Sequence, residues 1–147
     1  MKTLKFNFFS RSLLLGAPVL LLLLSLSSCA KKITFQNSSV VPAARGQVTV
    51  DKDNNKNYVI KINIDNLAEV KRLESSKNMY IVWMESDESK AKNIGQIKSD
   101  TSFISSKLKA SFETVSAVKP TKIFITAEDN ADTQYPGNTI VLETNTF

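Results

Sequence analysis

The sequence predicts an all-β protein, an antiparallel immunoglobulin-like β-sandwich of about seven to eight strands that follows a cleaved signal peptide. Three observations point there. Apolar and polar residues alternate with a period of two in the segments richest in β-branched residues. These segments are short and are separated by polar connections. Only one segment of the mature chain reads as a helix, and it is too short to change the class.

The first element is Ile33-Thr34-Phe35-Gln36, a short strand, and Gln47-Val48-Thr49-Val50 alternates after it. In Tyr58-Val59-Ile60-Lys61-Ile62-Asn63-Ile64-Asp65, the residues Tyr58, Ile60, Ile62 and Ile64 face one way and the intervening four the other, the pattern of a half-buried strand. The connection Asp51-Lys52-Asp53-Asn54-Asn55-Lys56-Asn57 is rich in residues that tolerate turn geometry, so the two strands form a hairpin. Residues 66–73 read as a helix of about two turns. Further strands are expected at 79–84, 93–98, 107–114, 121–127 and 139–143. Trp83 and Phe112 lie in such strands, where an aromatic is core more often than it is an exposed platform for sugar rings.

Composition excludes several chemistries. The 147 residues contain no His and one Cys. A Ser-His-Asp or Cys-His nucleophile site, a His-ligated metal, an internal disulfide and a thiolate zinc site are all ruled out on these counts. No cofactor and no metal is expected. Asp51-x-Asp53-x-Asn55 has the opening spacing of a calcium-binding EF-hand loop, but Lys56 stands where Gly is needed and Ile62 where the closing Glu belongs, so it reads as a hairpin turn. Glu128-Asp129-Asn130-Ala131-Asp132 offers several oxygens to a cation and reads first as a solvated loop. Ser89-x-x-Lys92 and Ser106-x-x-Lys109 match the Ser-x-x-Lys pattern of penicillin-interacting enzymes, without the Ser-Asp-Asn and Lys-Thr-Gly partners. Lys119-Pro120-Thr121-Lys122 and Lys107-x-Lys109 form a mildly basic neighbourhood that reads as a solvated face.

Residues 1–28 hold Lys2, Lys5 and Arg11, no acidic residue, and apolar runs from Leu13 onward, the order of a secretory signal. A bilayer span needs about 20 apolar residues, and this run is shorter and broken by Gly16 and Pro18. Its end is more specific. Leu26-Ser27-Ser28-Cys29 resembles the lipobox of bacterial lipoproteins, which implies diacylglycerol on the Cys29 thiol, cleavage before Cys29 with Leu26, Ser27 and Ser28 read by the signal peptidase, and acylation of the new amino group, for example with palmitate. The division is then 1–28 lipoprotein signal peptide, 29–32 lipidated Cys and short tether, and 33–147 β-sandwich domain. Ala30 follows the Cys where an Asp is absent, as in lipoproteins sent to the outer membrane, and Lys31 and Lys32 stand where anionic head groups would be in reach. Without the leader, 16 bases face 14 acids, so the precursor's net charge of +5 falls to +2 and gives no case for nucleic acid as a partner.

A second resemblance spans roughly residues 80–144. Tyr80-Ile81-Val82-Trp83-Met84, Asn93-Ile94-Gly95-Gln96-Ile97, Lys122-Ile123-Phe124-Ile125-Thr126-Ala127-Glu128 and Tyr135-Pro136-Gly137 before Ile140-Val141-Leu142 are similar to the order of elements in the C-terminal extracytoplasmic domain of anti-sigma-K factors. That resemblance implies a β-sandwich. Anti-sigma factors carry a sigma-binding region and a transmembrane helix ahead of this domain, and here a lipobox leader replaces both.

Three functional classes are therefore carried forward. The preferred one is a lipid-anchored, noncatalytic cell-envelope protein, membrane-bound through its N-terminal lipid and facing the periplasm or the cell surface, whose sandwich binds another envelope protein or a glycan or serves as a structural module. The second is an extracytoplasmic sensor or regulatory domain related to anti-sigma-K factors. The third is a His-free envelope enzyme, which requires a pocket with convergent polar groups.

Overall fold

The computed structural model describes residues 30–97 and 109–147. The signal segment, Leu26, Ser27, Ser28 and Cys29, and the positions Lys98, Ser106 and Lys107 lie outside the described residues. Within them the chain is all-β, two antiparallel four-stranded sheets that do not close into a barrel. The strands are β1 (Lys31–Thr34), β2 (Arg45–Lys52), β3 (Tyr58–Asp65), β4 (Met79–Ser86), β5 (Lys92–Ile97), β6 (Lys109–Ser116), β7 (Pro120–Glu128) and β8 (Ile140–Glu143). One sheet has the order β1-β2-β3-β6 and the other β5-β4-β7-β8.

The alternation in β3 sets the first sheet. Ile60, Ile62 and Ile64 are buried, while Lys61, Asn63 and Asp65 face solvent. The register carries this inward face across the sheet, because Ile62 stands opposite Val48 of β2 and Phe112 of β6. The hairpin between β2 and β3 forms as expected. At its tip Asp53 accepts the backbone N–H groups of Asn55 and Asn57 at 2.8 Å each, and Lys56 takes a left-handed conformation with φ of 67°. That position suits Gly, and Lys occupies it at a conformational cost.

The second sheet supplies Tyr80, Val82, Met84, Ile123, Ile125 and Leu142 to the same core. At one side the sheets are stitched together. After β1, Phe35 donates its backbone N–H to Gly46 of β2, and Gln36 donates to Glu143 of β8, so the chain passes from one sheet to the other within two residues. At the opposite side Gly95 of β5, with φ of 141°, lies against the Phe112 ring of β6. A Cβ on Gly95 would stand 2.7 Å from that ring.

Two expectations need correction. The first strand opens at Lys31, two residues earlier than Ile33, with Lys31 opposite Val50 and Lys32 opposite Thr49. The helix over 66–73 does not form; a single 3-10 turn, Val70–Arg72, takes its place. Asn66 leaves β3 with φ of 58°, and the Ala68 carbonyl accepts the Tyr80 hydroxyl at 2.9 Å. Leu67 and Leu73 are both buried, so the segment is held by two apolar anchors rather than by helical bonds.

Candidate functional site

The end of the sandwich at which the chain enters β1 contains a groove of about 290 Å³ between the two sheets. The first sheet contributes Lys31, Val50, Asp51, Lys52 and Tyr58, and the second side contributes Lys119, Pro120 and Phe147. The register explains why cations are there. Lys31 stands opposite Val50, and Lys52 opposite Tyr58, at the end of the same inward face that buries Val48 and Ile60. Where the core runs out into solvent, that face carries lysines instead of apolar residues.

Two of these ammonium groups lie over aromatic rings. Lys31 Nζ is 5.2 Å from the Phe147 ring centroid. Lys52 Nζ is 5.2 Å from that of Tyr58. Such contacts contribute roughly 0.5–1 kcal/mol each at exposed sites. The Phe147 backbone N–H donates to the Thr121 carbonyl at 2.8 Å, which fixes this ring at the groove. Chemically the groove offers ammonium donors beside an apolar floor, an arrangement suited to an anion that carries apolar material.

Trp83 occupies a different place from the central core. It is fully buried, yet with Ile81 and Phe124 it forms a separate apolar cluster on the outward face of the second sheet. The Trp83 and Phe124 rings stack with centroids 6.2 Å apart. The connection from β7 to β8 folds back across this face. Asn93 of β5 donates its side-chain N–H groups to the Ala131 and Thr133 carbonyls, at 2.9 and 3.2 Å. Beneath the connection, Trp83 Nε1 donates to Thr126 Oγ1 at 2.7 Å, Thr126 Oγ1 donates to Glu128 Oε1 at 2.6 Å, and the Gly137 N–H donates to the same oxygen at 2.7 Å.

This chain also shows what the acidic run 128–132 does in the fold. Glu128 is turned inward and bonded, and Asp129 pairs with Lys77 at 2.7 Å while Asp132 is exposed. The Lys77 ammonium is held above its ordinary value, chiefly by that hydrogen bond to Asp129. The EF-hand-like run is the hairpin tip described above. Ser89 bonds Ser86 Oγ at 3.2 Å and lines, with Lys92, a hollow of about 380 Å³ beside the β4–β5 turn. Among the described residues no group of three or more His, Cys, Asp or Glu side chains is placed to hold a metal ion.

The sequence had marked Lys119-Pro120, Lys31 and Trp83, but not Tyr58 or Phe147 as partners of the lysines. Tyr58 faces Lys52 across the β2–β3 hairpin, whereas Phe147 reaches Lys31 only through the sheet topology. Searches against protein-family models, curated proteins and solved structures find no match for this chain. Among the described residues no helix is long and apolar enough to cross a membrane.

Proposed function

We propose that this chain is a lipid-anchored, noncatalytic cell-envelope protein of the bacterial outer membrane, with an immunoglobulin-like sandwich that serves as a binding or structural module. The lipobox resemblance of Leu26, Ser27, Ser28 and Cys29 supplies the anchor in this reading. The observation that carries it is the start of β1 at Lys31, only two residues after Cys29. Two extended residues span at most about 7 Å, so an acylated Cys29 holds one end of the sandwich directly at the bilayer. Two or more acyl chains anchor stably where one does not.

The test is metabolic labelling with a palmitate analogue, followed by detergent partition and the mass of the N-terminal peptide. Wild-type protein carries the label and loses residues 1–28, whereas Cys29→Ser stays unlabelled and keeps its leader. A mature, labelled Cys29→Ser protein refutes the reading. Protease added to intact and to lysed cells then separates a surface-facing from a periplasmic domain.

A second reading, an extracytoplasmic sensor domain related to anti-sigma-K factors, is favoured by one observation. The residues that carry that resemblance, Trp83, Thr126, Glu128 and Gly137, belong to a single hydrogen-bonded chain. It requires a membrane-spanning partner, and recovery of such a protein with the detergent-extracted chain distinguishes it from the first.

A further inference from the structure

We infer that the groove formed by Lys31, Lys52, Tyr58, Lys119 and Phe147 binds the phosphate of an anionic lipid headgroup at the bilayer surface that holds the anchor. This rests on the acylation of Cys29 proposed above.

Charge is the first argument. The three lysines are exposed, and none forms an ion pair with a described residue; Lys32, Lys56, Lys71, Lys90 and Lys92 share that property, but only Lys31, Lys52 and Lys119 line this groove together. Among the described residues of the lining the one side-chain carboxylate is Asp51, which stands at an outward register position opposite Val59 and accepts the Lys52 backbone N–H at 2.8 Å. The inward end of the sheet therefore presents ammonium groups, which a phosphate diester complements.

Position is the second. Lys31 is itself part of the groove and lies within about 7 Å of Cys29 along the chain. That is inside the screening length of about 8 Å at physiological salt, so its attraction to a charged surface is not screened away. Lysines near an anionic surface favour binding by roughly fivefold each. The aromatic rings of Tyr58 and Phe147 and the ring of Pro120 supply an apolar floor of the kind that settles at the headgroup level.

The experiment uses the acylated mature protein, extracted in detergent and reconstituted into vesicles of phosphatidylcholine alone or mixed equally with phosphatidylglycerol. Lysine acetylation by a water-soluble reagent is followed residue by residue. Lys31, Lys52 and Lys119 are expected to react several-fold more slowly on the anionic vesicles, while Lys71 and Lys109 at the other end react equally on both. High salt abolishes the protection. In Lys52→Glu/Lys119→Glu, whose substituted side chains are exposed, Lys31 loses its protection while melting falls only slightly, through loss of the Lys52 contact with the Tyr58 ring. Equal rates on both vesicle types overturn the inference. Protection by inorganic phosphate without vesicles overturns the lipid assignment in favour of a soluble phosphate ligand. The mass of the N-terminal peptide reads the anchor separately. Protein recovered without acyl chains is floated with the same vesicles beside its Lys52→Glu/Lys119→Glu variant, where binding to the anionic ones alone that the variant loses supports the groove, and binding the substitutions leave unchanged, or no binding, overturns it.

Discussion

Trp83 donates its indole N–H to Thr126 at 2.7 Å on the outward face of its sheet, and is nonetheless fully buried. The β7–β8 connection thus gives the second sheet an apolar layer on each side. Trp83→Ala should destabilise the protein by about 3–5 kcal/mol, the usual cost of emptying a buried aromatic site. Thr126→Val, which strips the indole of its acceptor and Glu128 of a donor, should cost about 1–3 kcal/mol. Denaturant unfolding reads both, and an unchanged midpoint for Trp83→Ala would mean that the connection does not cover the ring.

Gly95→Ala should cost about 2 kcal/mol, because a side chain there meets both a disfavoured φ of 141° and the Phe112 ring at 2.7 Å. Phe112→Leu removes the ring but not the backbone strain. In a double-mutant cycle the two changes should therefore cost less together than their sum, and strict additivity would show that the ring contact contributes nothing.

The hairpin tip offers a gain instead of a loss. Lys56→Gly should raise stability by about 1 kcal/mol, since Gly adopts the left-handed conformation without steric cost. A lowered melting temperature would show that the Lys56 side chain makes a compensating contact.

Asp53 makes the same tip sensitive to acid. Desolvation works against its charge, but the hydrogen bonds from the Asn57 side chain and from the Asn57 and Asn55 backbones together outweigh it and hold the carboxyl below its ordinary value of 3.8. A lowered folded value means that the carboxylate stabilises the fold above the ordinary range and that this contribution is lost as pH falls through the folded value. The melting difference between wild type and Asp53→Asn should be full at neutral pH and should close under acid. A constant difference would assign the effect to shape and not to charge.

At the alkaline end the responsive group is Tyr80. Burial pushes its phenol from 10.0 up to about 12. The neutral form is the one the fold favours, so its stabilisation is complete below pH 10 and is lost as pH rises toward 12. Tyr80→Phe gives up the bond to the Ala68 carbonyl, at about 1 kcal/mol near neutrality. The gap from wild type should narrow above pH 10, and melting curves across that range check it.

The sequence made the strands legible where one face is wet. β3 alternates because its outer face meets water, and its hairpin partner and turn could be read beside it. β4 shows no such alternation, since Tyr80-Ile81-Val82-Trp83-Met84 is apolar on both faces and all five residues are buried. The cover for its second face comes from a polar segment near Asp129, Asn130 and Asp132, whose composition resembles any solvated loop. Glu128 belonged to the same acidic run, and only the return of Gly137 reveals it as an internal acceptor. The groove was half legible for a related reason. Its lysines announce themselves by charge and Tyr58 faces Lys52 across the foreseen hairpin, but Phe147 joins Lys31 from a distant segment.

The crossing at Phe35 and Gln36 also decides which borders of the sheets remain open to another chain. Because Gln36 hydrogen-bonds Glu143, the β1 and β8 border is partly occupied by the protein itself. On the opposite border β5 is interrupted by a bulge opposite Val82 and Trp83, next to Gly95. Among the described residues that leaves the eight-residue β6 as the longest regular edge strand, where Lys109 and Glu113 project outward and are paired to Asp65 and Lys61 of β3. A neighbouring molecule that tried to extend the sheet would meet the charged side chains of Lys109 and Glu113 along that strand, which disfavours edge-to-edge pairing between copies.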